Sequence, residues 1–225
     1  MKKKLFLIFI LIYSISLFSA CSNEQNENSL TQNQQAEFKE DSPQFILKSF
    51  FDAFKSSKFD EMKSYMADGI WSFDEITQNK SSIIQHTLNT AIQNFEYKIK
   101  ESTIQEDSAE VTVDMKNIWM SEVMLDSYSD YALKGTDAPG SDQATVELEF
   151  LKFLKANIEK YQKQEKFTTT VVITLIKNNE KWEIVNDSAI FDGMTGEYIT
   201  FLSRNLKNFV TPQKTEDEIV EITEE

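Results

Sequence analysis

This chain of 225 residues holds one histidine, His86, and one cysteine, Cys21. Those two side chains limit the chemistry it can do. A zinc site takes three or four His, Cys or carboxylate ligands, so His86 alone does not make one. It lies near Ile83 and Leu88 on a predicted helix and reads as a surface or boundary residue. A serine–histidine triad would need the same His86, and no Gly-x-Ser-x-Gly turn is present to carry a nucleophile. Neither glycine-rich phosphate loop, Gly-x4-Gly-Lys or Gly-x-Gly-x-x-Gly, occurs. Asp126 and Asp130 stand at positions 1 and 5 of a calcium loop. Tyr128 fills position 3 and Tyr131 fills position 6, where an EF-hand requires glycine, so only a looser cation site among Asp126, Asp130, Asp137 and Asp142 is left open. Asp114 alternates away from Val113 and Met115, on the same strand face as Glu110 and Lys116, which reads as solvated charge. The expectation is no metal, no cofactor and no catalytic residue.

Five aromatic residues fall outside the strongly periodic segments: Trp71, Phe73, Trp119, Tyr128 and Tyr131. Core packing would explain them. Equally, aromatics outside a periodic face can line a pocket mouth or a partner surface, and these five are the candidate surface.

Cys21 has a more specific context. Lys2, Lys3 and Lys4 precede an apolar run from Leu5 to Phe18, then Ser19, Ala20 and Cys21. The run is interrupted by Ser14 and Ser16 and is shorter than the roughly 18–20 apolar residues of a spanning helix. Ordinary signal cleavage takes small residues at −1 and −3; Ala20 suits the first and Phe18 does not suit the second. Phe18-Ser19-Ala20-Cys21 resembles instead a bacterial lipoprotein signal, with an apolar residue at −3, small residues at −2 and −1, and Cys at +1. The resemblance implies removal of residues 1–20 and diacylglycerol attachment at Cys21. It also implies a lipid-anchored position on the outer face of the cytoplasmic membrane. Residues 21–41 are rich in Asn, Gln, Glu and Ser, a composition that cannot bury enough apolar surface to fold and reads as a flexible tether.

Loss of residues 1–20 removes three lysines and leaves 20 basic against 37 acidic residues, a net charge of −17. Phosphate backbones favour the opposite balance, which excludes nucleic acid as a partner class. Contact flat against anionic lipid is disfavoured for the same reason. With the one cysteine carrying lipid, no intramolecular disulfide is available, and residues 42–210 must stand on a hydrophobic core as one domain.

The elements that hold these residues follow from periodicity. Ser42-Pro43 starts a helix whose Leu47, Phe50, Phe51 and Phe54 share one face. A short second helix carries Phe59, Met62 and Met66, ending at Asp68-Gly69; Trp71 to Phe73 form a loop. Ser81 caps a third helix with Ile84, Leu88 and Ala91 on one side. The period then becomes two: Phe95, Tyr97 and Ile99, then Ala109, Val111, Val113 and Met115, about a turn at Gln105–Ser108, read as an antiparallel hairpin. Between Asn117 and Gln143 the pattern is lost, suggesting a short helix and a loop. Gln143 to Lys163 is a long helix striped by Val146, Phe150, Phe153, Leu154, Ile158 and Tyr161. Phe167 to Ile176 is a strand, Asn178-Asn179-Glu180 a turn, and Trp182, Ile184 and Asn186 alternate in the return strand. A single last helix is expected from Gly193 to Phe209, followed by a mobile acidic tail, 211–225.

The predicted class is α+β: N-terminal helices packed on a curved antiparallel sheet, with a long inserted helix and a C-terminal helix. This order, with the late hairpin Val171–Ile184 ending in Lys181-Trp182-Glu183-Ile184, resembles the nuclear transport factor two-like (cystatin-like cone) domains carried by lipoproteins of Gram-positive bacteria. The resemblance covers about Ser42 to Asp187. It implies a sheet curved around a helix, often with a cavity, in a family that includes isomerases, dehydratases and non-catalytic binders. The expected function is a non-catalytic binding or assembly module tethered by Cys21, with a protein partner or a small apolar ligand. A small-molecule enzyme using a cone cavity and an immunity-type or structural surface lipoprotein are the alternatives.

Overall fold

Ser42 and Pro43 start the first helix, α1 (Pro43–Lys55), as their chemistry requires. The Ser42 hydroxyl accepts the Phe45 N–H at 3.2 Å, and proline gives up only an N–H that the first turn leaves unpaired. The computed structural model describes residues 38–67, 73–134 and 142–210. Cys21, the tether up to residue 37, the Asp68-Gly69 helix stop, Trp71, Asp137 and the tail 211–225 lie outside the described residues.

Two short helices, α2 (Phe59–Lys63) and α3 (Asp74–Thr77), lead to α4 (Ser82–Asn94). The strands β1 (Glu96–Gln105) and β2 (Ser108–Asn117) form the first hairpin. Helices α5 (Met120–Leu133) and α6 (Gln143–Tyr161) come next. The second hairpin, β3 (Phe167–Asn178) and β4 (Lys181–Ile184), precedes α7 (Ser188–Thr195) and α8 (Tyr198–Val210). The four strands form one curved antiparallel sheet in the order β1-β2-β3-β4, and the fold is α+β, as the order of periodic segments predicts.

The sheet buries one face. Ala109, Val111, Val113 and Met115 point inward along β2, level with Leu175, Ile173, Val171 and Thr169 of β3. Phe50, Phe51 and Phe54 of α1 are fully buried against this face, each contributing roughly 1.5–3 kcal/mol by leaving water. They form a ring network: Phe51 lies 5.6 Å from Phe95 and 4.7 Å from Tyr97, and Phe54 meets Phe95 edge-on at 5.4 Å. The outer face carries Lys98, Lys100, Glu110, Asp114, Thr170 and Thr174, as the period of two demands.

The sheet's two edges are treated differently. β4 is covered by residues 65–67: Ile184 N donates to Tyr65 O at 2.8 Å and Ala67 N to Ile184 O at 2.9 Å. β1 carries a bulge between Ile99 and Ser102, which bends the strand and makes its edge a poor template for further pairing. In the second hairpin Asn179 and Glu180 both have positive φ, 48° and 69°, the conformation of a type I′ turn.

Four expectations change. The segment 117–143 holds a 14-residue helix, α5, not a short one. Its buried side chains, Met120, Val123, Met124 and Ser127, include a serine, and apolar residues sit on its exposed side, so the helical stripe is blurred in the sequence. Just after the loop expected at Trp71 to Phe73, one helical turn, α3, stands where the periodicity predicts no element, and Phe73 packs 5.5 Å from Phe191. β4 ends at Ile184, and Asn186 is exposed beyond it. The single C-terminal helix is two. Asp187 caps α7 by accepting Ala189 N at 2.8 Å, and Gly196 at φ 62° ends it. Asp192 then accepts the Thr200 N–H at 2.9 Å and the Thr200 hydroxyl, satisfying the start of α8.

Buried polar groups join the layers. Asn117 donates from Nδ2 to Ala91 O at 3.0 Å and to Met194 O at 2.5 Å, and its Oδ1 accepts Ile118 N at 2.7 Å. One side chain thus ties β2 to the ends of α4 and α7. Tyr198 is fully buried. Its hydroxyl makes no hydrogen bond of ordinary geometry among the described residues, and burial raises its pKa, an effect opposed by neighbouring Thr87.

Candidate interaction surface

α5 combines one buried side with an unusually apolar exposed side. Leu125 and Tyr128 are each 50% exposed, Leu133 is 82% exposed, and Trp119, which immediately precedes the helix, is 42% exposed. Leu125 and Tyr128 are three residues apart and so share a face. Scattered single apolar residues are normal on a surface; four large ones on a single 14-residue helix and its cap form a feature.

Trp119 is held on two sides. Its ring centroid lies 5.9 Å from that of Phe167 with the planes at 35°. Its Nε1–H donates to Glu197 Oε2 at 2.7 Å, and the same oxygen accepts the Ser121 hydroxyl at 3.2 Å. The backbone beneath is also clamped, with Ser121 N donating to Gly196 O at 3.1 Å. Tyr131, half-buried, turns towards α6 and meets Phe150 and Phe153 edge-on at 5.9 and 6.1 Å.

Of the five candidate aromatics, Trp119, Tyr128 and Tyr131 thus lie on α5 or at its start, Trp119 and Tyr128 exposed and Tyr131 packed against α6. Phe73 does not join them. It is fully buried in the core, 6.2 Å from Phe54, 6.1 Å from Phe59 and 5.5 Å from Phe191, and forms no part of a surface. Its place beside a short polar segment hid a long-range core contact. Trp71 lies outside the described residues. Leu125 and Leu133 were missed. Their signal was an excess of apolar residues in a stretch with no clean helical stripe.

The acids near α5 serve packing between helices. Asp126 accepts from Lys160 Nζ at 2.8 Å and from the Tyr161 hydroxyl at 3.0 Å. The Lys160 hydrogen bond holds the Asp126 carboxyl below the usual carboxylate range, while burial and Asp126 push the Tyr161 hydroxyl up. Asp130 accepts Asn157 Nδ2 at 3.0 Å. Asp142 caps α6 through Thr145 N at 2.7 Å. Asp126, Asp130 and Asp142 each have a protein donor, and Asp137 lies outside the described residues; no group of three or more His, Cys, Asp or Glu able to hold a metal occurs among the described residues.

Glu147 of α6 reaches α4. Its Oε1 accepts Ser82 N at 2.8 Å and the hydroxyls of Ser82 and Ser81 at 2.7 and 2.9 Å. The cap that Ser81 was expected to provide thus comes from a carboxylate 65 residues away from Ser82, favourably placed at the positive end of the helix. His86, one turn on, is half-buried, and its pKa is lowered by burial and by Lys155. Asp114 lies on the outer sheet face, paired with Lys100 at 2.7 Å and accepting from Thr170 at 2.9 Å.

No helix among the described residues is long and apolar enough to cross a membrane. No protein-family model matches this chain. No curated protein matches it either. Among solved structures, it is similar to a "putative lipoprotein (ycdA)" from Bacillus subtilis, at 19% identity and a TM-score of 0.34. The match covers 64% of this chain and 44% of that one, so this chain spans less than half the length of the protein it matches.

Proposed function

We propose that this protein is a lipid-anchored, extracytoplasmic lipoprotein acting as a non-catalytic binding or assembly module. Cys21 holds it at the outer face of the cytoplasmic membrane, and the exposed side of α5 meets a protein partner. The anchoring half rests on the Phe18-Ser19-Ala20-Cys21 signal and the polar residues behind it. The binding half rests on one observation: Trp119, Leu125, Tyr128 and Leu133 are exposed on and beside a single helix. Aromatic residues of this kind anchor protein interfaces.

A non-catalytic reading is supported by the occupation of the titratable groups. Asp114, Asp126, Asp130, Asp142 and Glu147 each hold a lysine, a cap or a neighbouring helix. The inner sheet face, where a cone-like domain would keep a cavity, is lined by the fully buried Phe50, Phe51, Met115 and Phe191.

Two experiments test the halves separately. Cys21→Ala releases the protein from the membrane fraction or leaves it unprocessed; unchanged mass and membrane retention would refute the anchor. For the surface, a photoreactive residue at Leu125 in intact cells yields a protein adduct that Tyr128→Glu abolishes. No adduct at Leu125, or one indifferent to Tyr128→Glu, sinks the binding surface. Point changes on the exposed side are the right tool, because deleting α5 would also remove Met120, Val123 and Met124 from the core.

A further inference from the structure

Glu197 has a backbone conformation that its side chain does not favour. It follows Gly196 in the left-handed region, at φ 63°, where a Cβ crowds the backbone and glycine is the usual occupant. Of the other described non-glycine residues with positive φ, Glu106, Asn179 and Glu180 lie in tight hairpin turns, Asp41 just precedes α1 and Ser57 just follows it. Glu197, like Ser57, lies between two helices, but it extends its carboxylate to the exposed indole of Trp119. Residues kept in sparsely populated conformations cluster where a site is being held in a set geometry.

We infer that Glu197 is a positioning residue: its carboxylate sets the orientation of Trp119 and so pre-forms the aromatic anchor at the start of α5. Three contacts make the clamp. Oε2 takes the indole N–H at 2.7 Å and the Ser121 hydroxyl at 3.2 Å, and Gly196 O takes the Ser121 N–H at 3.1 Å. A Trp side chain left to rotate would lose rotamer freedom on meeting a partner; one already fixed loses less. Indole has a single donor, and here it is engaged internally. Trp119 therefore offers a partner its ring rather than its N–H, which suits an aliphatic or cationic side chain. This inference rests on the binding reading for its purpose, but its test needs no partner, so the two can fail independently.

The test uses the full chain and the Trp119 indole N–H resonance in a ¹⁵N–¹H spectrum, assigned by its disappearance in Trp119→Phe. Glu197→Gly removes the acceptor while relieving the backbone, Glu197→Ala removes the acceptor alone, and Glu197→Gln keeps an acceptor oxygen of the same reach. Expected is an upfield move of the indole N–H toward the solvent-exposed position in Glu197→Gly and Glu197→Ala. Glu197→Gln retains the wild-type shift, and Glu197→Gly keeps the wild-type melting temperature. A purely structural turn would leave the indole resonance unmoved in Glu197→Gly, and that result overturns the inference. A Glu197→Gln shift as large as that of Glu197→Gly overturns it as well.

Discussion

Replacing Gly196 by alanine tests how the corner beneath Trp119 is built. Two costs add. At φ 62° a Cβ is unfavourable wherever it points, by about 1 kcal/mol. It would also lie 1.9 Å from Ile118 O and 2.9 Å from Met120 N. Both are backbone atoms, so no rotamer change relieves the overlap; the link from β2 to α5 must move away. That movement breaks the bond from Ser121 N to Gly196 O, at about 1 kcal/mol, and disturbs the Asn117 contact to Met194 O. With about 1–3 kcal/mol more for the overpacked backbone, the sum is about 3–5 kcal/mol. Gly193→Ala is the matched control. Its Cβ would meet Met115 Sδ at 2.6 Å and Thr169 Cγ2 at 3.2 Å, but the thioether can swing aside. The helix also gains about 1 kcal/mol from replacing glycine, so the net change stays within about 1 kcal/mol. Urea denaturation followed by far-ultraviolet circular dichroism reads both. With a slope of about 2 kcal/mol per molar, Gly196→Ala lowers the midpoint by roughly 1.5–2.5 M and Gly193→Ala by less than about 0.5 M. A Gly196→Ala loss below about 1 kcal/mol, or equal losses for the two, would refute the reasoning.

Three further outcomes are expected. Glu147→Ala costs about 1–2 kcal/mol at neutral pH, as loss of a helix cap does, and Glu147→Gln less, because one acceptor oxygen remains. The hydrogen bonds from Ser82 and Ser81 hold the Glu147 carboxyl below its ordinary 4.5. Its stabilisation is therefore complete above that value and fades as pH falls through the lower folded one, so the alanine variant loses less stability on acidification than the wild type; parallel acid limbs would contradict this. Asn117→Ala strands Ala91 O, Met194 O and Ile118 N in a buried place, at roughly 3–5 kcal/mol, and a midpoint shift under a third of that would show the three bonds to be unimportant. Tyr198→Phe removes a buried hydroxyl lacking an ordinary hydrogen bond and leaves stability within about 1 kcal/mol of the wild type or raises it; a loss beyond about 2 kcal/mol would reveal a strong partner for the hydroxyl.

Some of this molecule was legible one residue at a time. The Ser42-Pro43 start, the Phe50, Phe51 and Phe54 stripe, the alternation from Ala109 to Met115 and the Asn179-Glu180 turn all encode local geometry, because helical and strand periods and turn conformations depend on near neighbours. The class α+β followed from their order. The candidate surface was half legible. Trp119, Tyr128 and Tyr131 stood out as aromatics without a periodic home, but nothing local separated them from Phe73.

Tertiary contact made that separation. Phe73 entered the core because Phe54, Phe59 and Phe191, distant in sequence, converge on it. Trp119 stayed at the surface because a carboxylate 78 residues away takes its indole N–H. Helix α4 is capped from α6 and not by its own serine, and the last helix divides where Gly196 must fit beneath Ile118 O. The sequence by itself determined the period and order of the elements, and it alone carries the lipoprotein-like pattern Phe18-Ser19-Ala20-Cys21 on which the proposed anchor rests. Which exposed side chains share a face, and which polar groups are engaged in holding them, depended on long-range packing that no local pattern records.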